Sequence, residues 1–331
     1  MDKLIEKIKK LEIAKNAKTV CLIGHIDPDA DALSSMVVFK SFLTKTFKIK
    51  TIDLFADCEQ VSNSCQPILG KESINKKPKK QYDFAVMMDS PNVDRLGKYA
   101  NLFQTSNHKI SIDHHNTNQM LGELNIVANV SSCCEIVYMI CKEYGYTLSN
   151  SEQGKIYAGL ITDTNNFSVG NVSENTFKIA SEIIPHINKD VIVSNFFSNN
   201  SLHNMKVLAQ AINNTSAFES GKIVMSFITN QQAEQLGCNP NSYIGIINRL
   251  TSISHCCLVS FVYPKNDLLY VALRARNGFD VSKLAIKNNG GGHIGASGYL
   301  SDKSLEETNK DILDYFIKEI KSKKGVNFNI F

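Results

Sequence analysis

Thr19-Val20-Cys21-Leu22-Ile23-Gly24-His25-Ile26-Asp27-Pro28-Asp29-Ala30-Asp31 is the stretch on which the reading of this chain turns. Its first five residues form an apolar run of strand length, and the residues beyond Gly24 bring one imidazole and three carboxylates to its end. An imidazole followed by carboxylates at short spacing is a donor set for a hard or borderline divalent cation, and in a tight loop Asp29 and Asp31 can face two different ions. Asp27, directly before Pro28, has the chemistry of a turn-former rather than a ligand.

Working outward, short β-rich runs at 49–55, 84–88 and 110–112 alternate with amphipathic segments, beginning with a helix over 31–43. That alternation predicts an α/β fold whose N-terminal sheet is mostly parallel and flanked by helices. In such sheets functional residues gather beyond the carboxyl ends of the strands. After residue 112 the periodicity turns helical at 134–144 and 151–161, with Ser173 as the N-cap of a further helix to about 184. Residues 191–218, Asn/Ser-rich and then helical over 202–217, read as the connection to a smaller C-terminal α/β unit. That unit carries strands at 223–228, 255–262 and 268–274 and helices at 230–237, 241–250, 281–288 and 305–321. The predicted division is therefore 1–190, a linker over 191–218, and 219–331.

Composition narrows the function. With 331 residues and 43% hydrophobic content the chain can bury a sizeable core, and 36 basic against 32 acidic residues leave a formal charge of only +4. Two local runs, Lys76, Lys77, Lys79, Lys80 and Lys318, Lys321, Lys323, Lys324, do not make a nucleic-acid-coating surface, whereas a short anionic ligand remains compatible. Nine cysteines with no C-x-x-C spacing fit reduced thiols. The first 18 residues read as an amphipathic helix rather than a signal peptide, and no apolar run is long enough for a bilayer. The expectation is a cytoplasmic protein with no membrane partner.

Four separated segments place acidic or imidazole groups after apolar runs: His25, Asp29 and Asp31; Asp89; Asp113, His114 and His115; and Asp163. A single aspartate after a strand is most often a helix cap, and a lone histidine most often a structural hydrogen-bonder. Seven or eight such groups focused on one crevice would repel one another unless cations neutralised them.

His25-x-x-x-Asp29-x-Asp31, Asp89, Asp113-His114-His115 and Asp163 resemble the four motifs of the DHH phosphoesterase superfamily. Downstream, Gly290-Gly291-Gly292-His293-Ile294-Gly295-Ala296-Ser297-Gly298 is similar to the glycine-rich signature of the DHHA1 domain, and Val271-Ala272-Leu273-Arg274 to the strand bearing its substrate-binding arginine. Within the superfamily the likeness is to the stand-alone, NrnA-like oligoribonuclease and pAp-phosphatase group. The resemblance implies a DHH catalytic domain over 1–190 and a DHHA1 substrate domain over 219–331. It implies two Mn²⁺ ions, one on His25, Asp29 and Asp89, the other on Asp31, Asp89, His114 and Asp163, with Mg²⁺, Co²⁺ or Zn²⁺ as substitutes. His115 would contact phosphate or assist the leaving group, with Asp113 orienting an imidazole.

The glycine run by itself could be a flexible turn; in this context its backbone N–H groups would cradle an anion, with His293 and Ser297 beside Gly291 and Gly292. Arg274 would grip the far end of the substrate, with Arg276 as competitor. The implied activity is manganese-dependent hydrolysis of short RNA oligonucleotides to 5′-mononucleotides and of pAp to AMP. Alternatives are a phosphodiesterase acting mainly on pApA or cyclic di-AMP, and a nucleotide-binding regulatory protein without turnover. A homodimer is compatible with the sequence. Ala30 and Asn165 stand where the family commonly has Gly, and Ser168 where related proteins often carry Arg; none of these removes a ligand.

Overall fold

The computed structural model describes residues 2–168, 171–198 and 201–322, so Lys323 and Lys324 of the second lysine run lie outside the described residues. The chain divides into two compact units, Met1–Asn199 and Asn200–Phe331. Residues 191–197 continue the first unit as part of the helix Lys189–Phe197, and the helix Leu202–Asn213 opens the second.

The first unit is built on strands β1 (Thr19–Ile23), β2 (Thr51–Phe55), β3 (Phe84–Met88), β4 (His108–Asp113) and β5 (Leu124–Val127). They pair in the order β2-β1-β3-β4-β5, every pair parallel. The uniform apolarity of β1 and β3 follows from burial on both faces. Val20 and Leu22, with Phe84, Val86 and Met88, enter the main core beneath the helices Ala30–Thr46 and Cys133–Glu143. Cys21 and Ile23, with Ala85 and Met87, pack on the opposite face against Leu96 and Phe103. The Val, Leu, Ile, Phe and Met side chains among these contribute on the order of 1.5–3 kcal/mol each on removal from water. Chain order reverses between β1 and β3, the topological switch point where parallel α/β sheets open their binding crevice.

Helix Ala30–Thr46 begins at Asp29, whose Oδ1 accepts the Ala32 amide at 3.0 Å as an N-cap. Its residues 30–39 are all buried, so this helix runs inside the unit rather than on its surface. Asp27 takes a left-handed backbone (φ 50°) and donates its amide to the Asp57 carbonyl, as a turn residue does.

The second unit holds β6 (Ser216–Phe218), β7 (Ile223–Phe227), β8 (Leu258–Lys265), β9 (Leu268–Ala275), β10 (Gly291–His293) and β11 (Ala296–Ser301), in the order β10-β11-β9-β8-β7-β6. Only β7 and β8 pair in parallel; the rest of this mixed sheet is antiparallel. The helix expected over 202–217 stops at Asn213, and β6 turns into β7 through Glu219 and Ser220, both at positive φ. The helix expected over 241–250 is split by Gly245 at φ 80° into Pro240–Tyr243 and Ile246–Leu250. Helix Leu305–Ser322 buries Ile312 and Phe316 in this unit's core. No helix among the described residues is long and apolar enough to cross a membrane.

Candidate metal centre

The loops leaving β1, β3 and β4 and the end of helix Asn150–Asp163 converge at the switch point of the first unit. Three overlapping sets of side chains there have donor atoms within 4.8 Å of one another: His25, Asp29 and Asp89; Asp31, His114 and Asp163; and Asp89, His114 and His115. All eight groups singled out in the first unit, including Asp113, therefore gather in one place.

Asp89 lies at the centre. It is 2% exposed, sits just past β3 at φ 52°, and is held by its amide, which donates to the Ile112 carbonyl. Its Oδ2 lies 3.8 Å from His25 Nε2 and its Oδ1 3.4 Å from His114 Nε2. Oδ1 is buried with no hydrogen-bond partner, an expensive state for a carboxylate oxygen unless a cation occupies the space it faces.

Both histidines are presented in the same way. His25 Nδ1 lies 2.8 Å from the Ile26 carbonyl, and His114 Nδ1 lies 3.2 Å from the Val130 carbonyl. A proton donated from Nδ1 to a carbonyl leaves Nε2 with a lone pair aimed at the carboxylates, the arrangement of a metal-ligating imidazole. His25 Nε2 is also 3.8 Å from Asp29 Oδ2, and His114 Nε2 is 3.2 Å from Asp163 Oδ2.

Asp31 is fully buried in the first turn of its helix. Its Oδ2 accepts the Cys133 amide at 2.6 Å and its Oδ1 the Cys134 amide at 2.9 Å, so one helix anchors its carboxylate on the N-terminus of another. Cys133 and Cys134 are both buried, and their backbone N–H groups orient Asp31.

The electrostatics describe a cluster short of positive charge. Burial disfavours protonated His25 and His114, yet Asp29 beside the former and Asp89 beside the latter raise them to about 9 and about 10. Burial, reinforced by Asp89, pushes Asp31 well up; burial also takes Asp163 to about 6 despite His114. Protons thus take up the role that divalent ions would fill, and the donor set fits such ions.

His115 stands apart in its hydrogen bonding. Its Nδ1 lies 2.7 Å from Asp113 Oδ1, while Asp113 Oδ2 accepts Asn118 Nδ2 at 2.7 Å. The Asp113 hydrogen bond raises His115, and although burial alone would lift Asp113, His115 and Asn118 hold it below the usual carboxylate range. Sequence reading missed Asn118, a lone loop asparagine with no motif to mark it. It also missed Arg95, whose Nη2 lies 3.4 Å from His25 Nδ1.

In the second unit the remaining five predicted residues lie on three neighbouring strands but not on one face: Arg274, Gly291 and His293 share a face, while Gly292 and Ser297 lie in the intervening row. Register places His293 opposite Ala296 and Ala296 opposite Arg274, one row across three strands and hence on one face. The next row on that face runs Gly291, Gly298, Ala272, with the Tyr270 hydroxyl packed over Gly298 and Ala272 buried in this unit's core. Gly292, at φ 132°, pairs with Ser297, and a methyl there would stand 2.6 Å from Ser297 Cα, so glycine is required. The Ser297 hydroxyl donates to the His293 carbonyl at 2.7 Å and so braces the hairpin.

Residues 19–163 match the family model described as the DHH family, N-terminal domain. The chain is 28% identical over 303 residues to the bifunctional oligoribonuclease and PAP phosphatase NrnA of Bacillus subtilis strain 168, covering 89% of this chain and 93% of that one. It is 26% identical over 302 residues to the probable bifunctional oligoribonuclease and PAP phosphatase NrnA of Streptococcus mutans, covering 89% and 92%. Its fold is that of the crystal structure of an exopolyphosphatase-related protein from Bacteroides fragilis, with TM-score 0.83 and 21% identity over 97% of this chain and 96% of that one. Residues 19–163 are thus a DHH-family N-terminal domain, and the chain is a phosphoester hydrolase similar over nine-tenths of its length to these relatives.

Proposed function

We propose that the chain hydrolyses short RNA oligonucleotides from one end to 5′-mononucleotides and converts pAp to AMP, using two Mn²⁺ ions. The observation that carries the reading is Asp89: a buried carboxylate with one oxygen towards His25 and the other, unpartnered, towards His114. His25, Asp29 and Asp89 would hold one ion; Asp31, Asp89, His114 and Asp163 the other. Divalent ions held by these residues would activate a water for attack at phosphorus and neutralise charge on the phosphate oxygens. Mixed imidazole and carboxylate ligation favours Mn²⁺ over Mg²⁺.

The chain's own groups do the rest. Asp31, pinned to two amides, and His25 and His114, each oriented through Nδ1, arrive preorganised, so little rearrangement accompanies loading. His115, two-fifths exposed and hydrogen-bonded through Nδ1 to Asp113, presents Nε2 as a proton donor to the leaving-group oxygen. Arg274, Gly291, Gly292 and His293 would bind the far end of a short substrate, Ser297 bracing their hairpin. The named activities of the Bacillus and Streptococcus relatives support this substrate class.

The test is one panel: pAp, pApA, a five-nucleotide RNA, a longer RNA, cyclic di-AMP and pyrophosphate, each with Mn²⁺ and with chelator. The reading expects mononucleotide from the five-nucleotide RNA and AMP from pAp, both abolished by chelator. Preference for cyclic di-AMP or pyrophosphate, equal product in chelator, or binding without turnover would each replace it.

A further inference from the structure

Arg95 is an exposed residue on the short 3₁₀ segment Asp94–Tyr99, next to the metal centre and outside every motif that marks it. Its backbone is tightly placed. The Ile26 amide donates to the Arg95 carbonyl at 2.7 Å, and the Arg95 amide donates to Asn92 Oδ1 at 3.1 Å, tying the loop after β3 to the loop after β1 across the switch point. Its guanidinium consequently reaches the rim of the carboxylate cluster, with Nη2 3.4 Å from His25 Nδ1.

That contact does not satisfy the guanidinium. His25 Nδ1 is 2.8 Å from the Ile26 carbonyl and, with its proton committed there, has no lone pair to offer Arg95. Arg95 enters none of the ion pairs found among the described residues, although five aspartates lie in the adjoining cluster. Asp57, packed against Gly97 two residues on, is occupied by Lys98 through both its ammonium (2.8 Å) and its amide (3.0 Å). A planar fork of donors without an acid partner, held at the mouth of a site for divalent ions, is matched to a tetrahedral oxyanion.

We infer that Arg95 binds the non-bridging oxygens of the phosphate group held at the metal centre, acting as a substrate-contacting residue opposite the ions. The inference deepens the function proposed above and rests on it for the identity of the substrate, but not for the binding of phosphate itself.

The experiment compares wild type, Arg95→Ala and Arg95→Lys as full-length chains loaded with Mn²⁺. Calorimetry measures affinity for Mn²⁺ and for inorganic phosphate, and kinetics measures KM and kcat on whichever substrate of the panel is turned over. In Arg95→Ala, Mn²⁺ affinity stays within about twofold, phosphate affinity falls about ten- to a hundredfold, and KM rises. Arg95→Lys keeps the charge without the fork and recovers phosphate affinity only in part. Phosphate affinity unchanged in Arg95→Ala overturns the inference, as does a wild type that binds no phosphate. A parallel loss of Mn²⁺ affinity also overturns it, because Arg95 would then be a positioning residue for His25. Wild type that binds phosphate through Arg95 yet turns over nothing in the panel would leave the inference standing and remove the proposed function.

Discussion

The carboxylate of Asp31 is packed against the Cα of Gly159: a methyl group on that glycine would stand 2.6 Å from Asp31 Oδ1 and would collide with Cys134 Sγ. Gly159 lies inside helix Asn150–Asp163, where replacing glycine by alanine on an exposed face stabilises by about 0.5–1 kcal/mol. Here the sign reverses. Asp31 is held by the Cys133 and Cys134 amides and has no free rotamer to retreat into. Gly159→Ala is expected to destabilise by about 1–3 kcal/mol, as overpacked cores do, and to lower Mn²⁺ affinity with it. Thermal unfolding and metal calorimetry on the same preparation check both; a gain in melting temperature would contradict this packing.

Asp89 gives a prediction whose size differs between two buffers. Without divalent ions its repulsion of Asp31 and Asp163 is offset by His25 and His114; in the proposed two-ion arrangement it would be the shared ligand. Asparagine tolerates the positive φ of this position, so Asp89→Asn keeps the backbone. The variant is expected to melt well below wild type in saturating Mn²⁺, where wild type alone gains binding free energy, and much closer to it in chelator. A variant that tracks wild type in both buffers would remove Asp89 from the metal centre.

The contrast between legible and illegible parts follows the same physics. β1 and β3 are readable because burial on both faces forces an unbroken apolar run, and the ligands are readable because each follows such a run directly. β5, four residues alternating between buried and half-buried, is too short to leave a periodic trace. β6 lies entirely exposed and carries no pattern, while β10 is all Gly and His, so the hairpin it forms with β11 reads as a loop. The partners that orient the site were hidden for a different reason. Asp31 is held by backbone amides, whose donors exist at every position except proline, and Asn118 and Arg95 reach the cluster through loop geometry that no local spacing encodes.

Asp113 and His115 give a prediction about pH. The Asp113 hydrogen bond raises the His115 pKa, so the protonated imidazole persists to higher pH than in a free histidine. If His115 donates the leaving-group proton, activity is present below its pKa and is lost as pH rises through it. Asp113→Asn removes the negative charge, and the alkaline limb of kcat moves to lower pH. His115→Ala removes the limb altogether and lowers kcat by about 10²–10⁴-fold. An alkaline limb at the same pH in wild type and Asp113→Asn would assign that ionisation to another group.

Glu152 supplies an acid-stability test remote from the metal centre. It closes the capping box of helix Asn150–Asp163: its Oε2 accepts the Ser149 amide at 2.8 Å and the Ser149 hydroxyl at 2.7 Å. Its Oε1 accepts Tyr146 OH at 2.8 Å and lies 3.3 Å from Lys45 Nζ. Burial would raise its pKa, but the Ser149 and Tyr146 hydrogen bonds outweigh burial and bring it from 4.5 to about 2. A carboxylate with a depressed native pKa contributes stability that is complete above its unfolded pKa and disappears as pH falls through the native one. Glu152→Gln is therefore expected to lose about 2–3 kcal/mol at pH 7, and the gap to wild type is expected to narrow between pH 4.5 and pH 2. Urea unfolding of both proteins in chelator at pH 7, 4 and 3 measures it. A gap as wide at pH 3 as at pH 7 would mean that the carboxylate's charge has no part in holding this helix end.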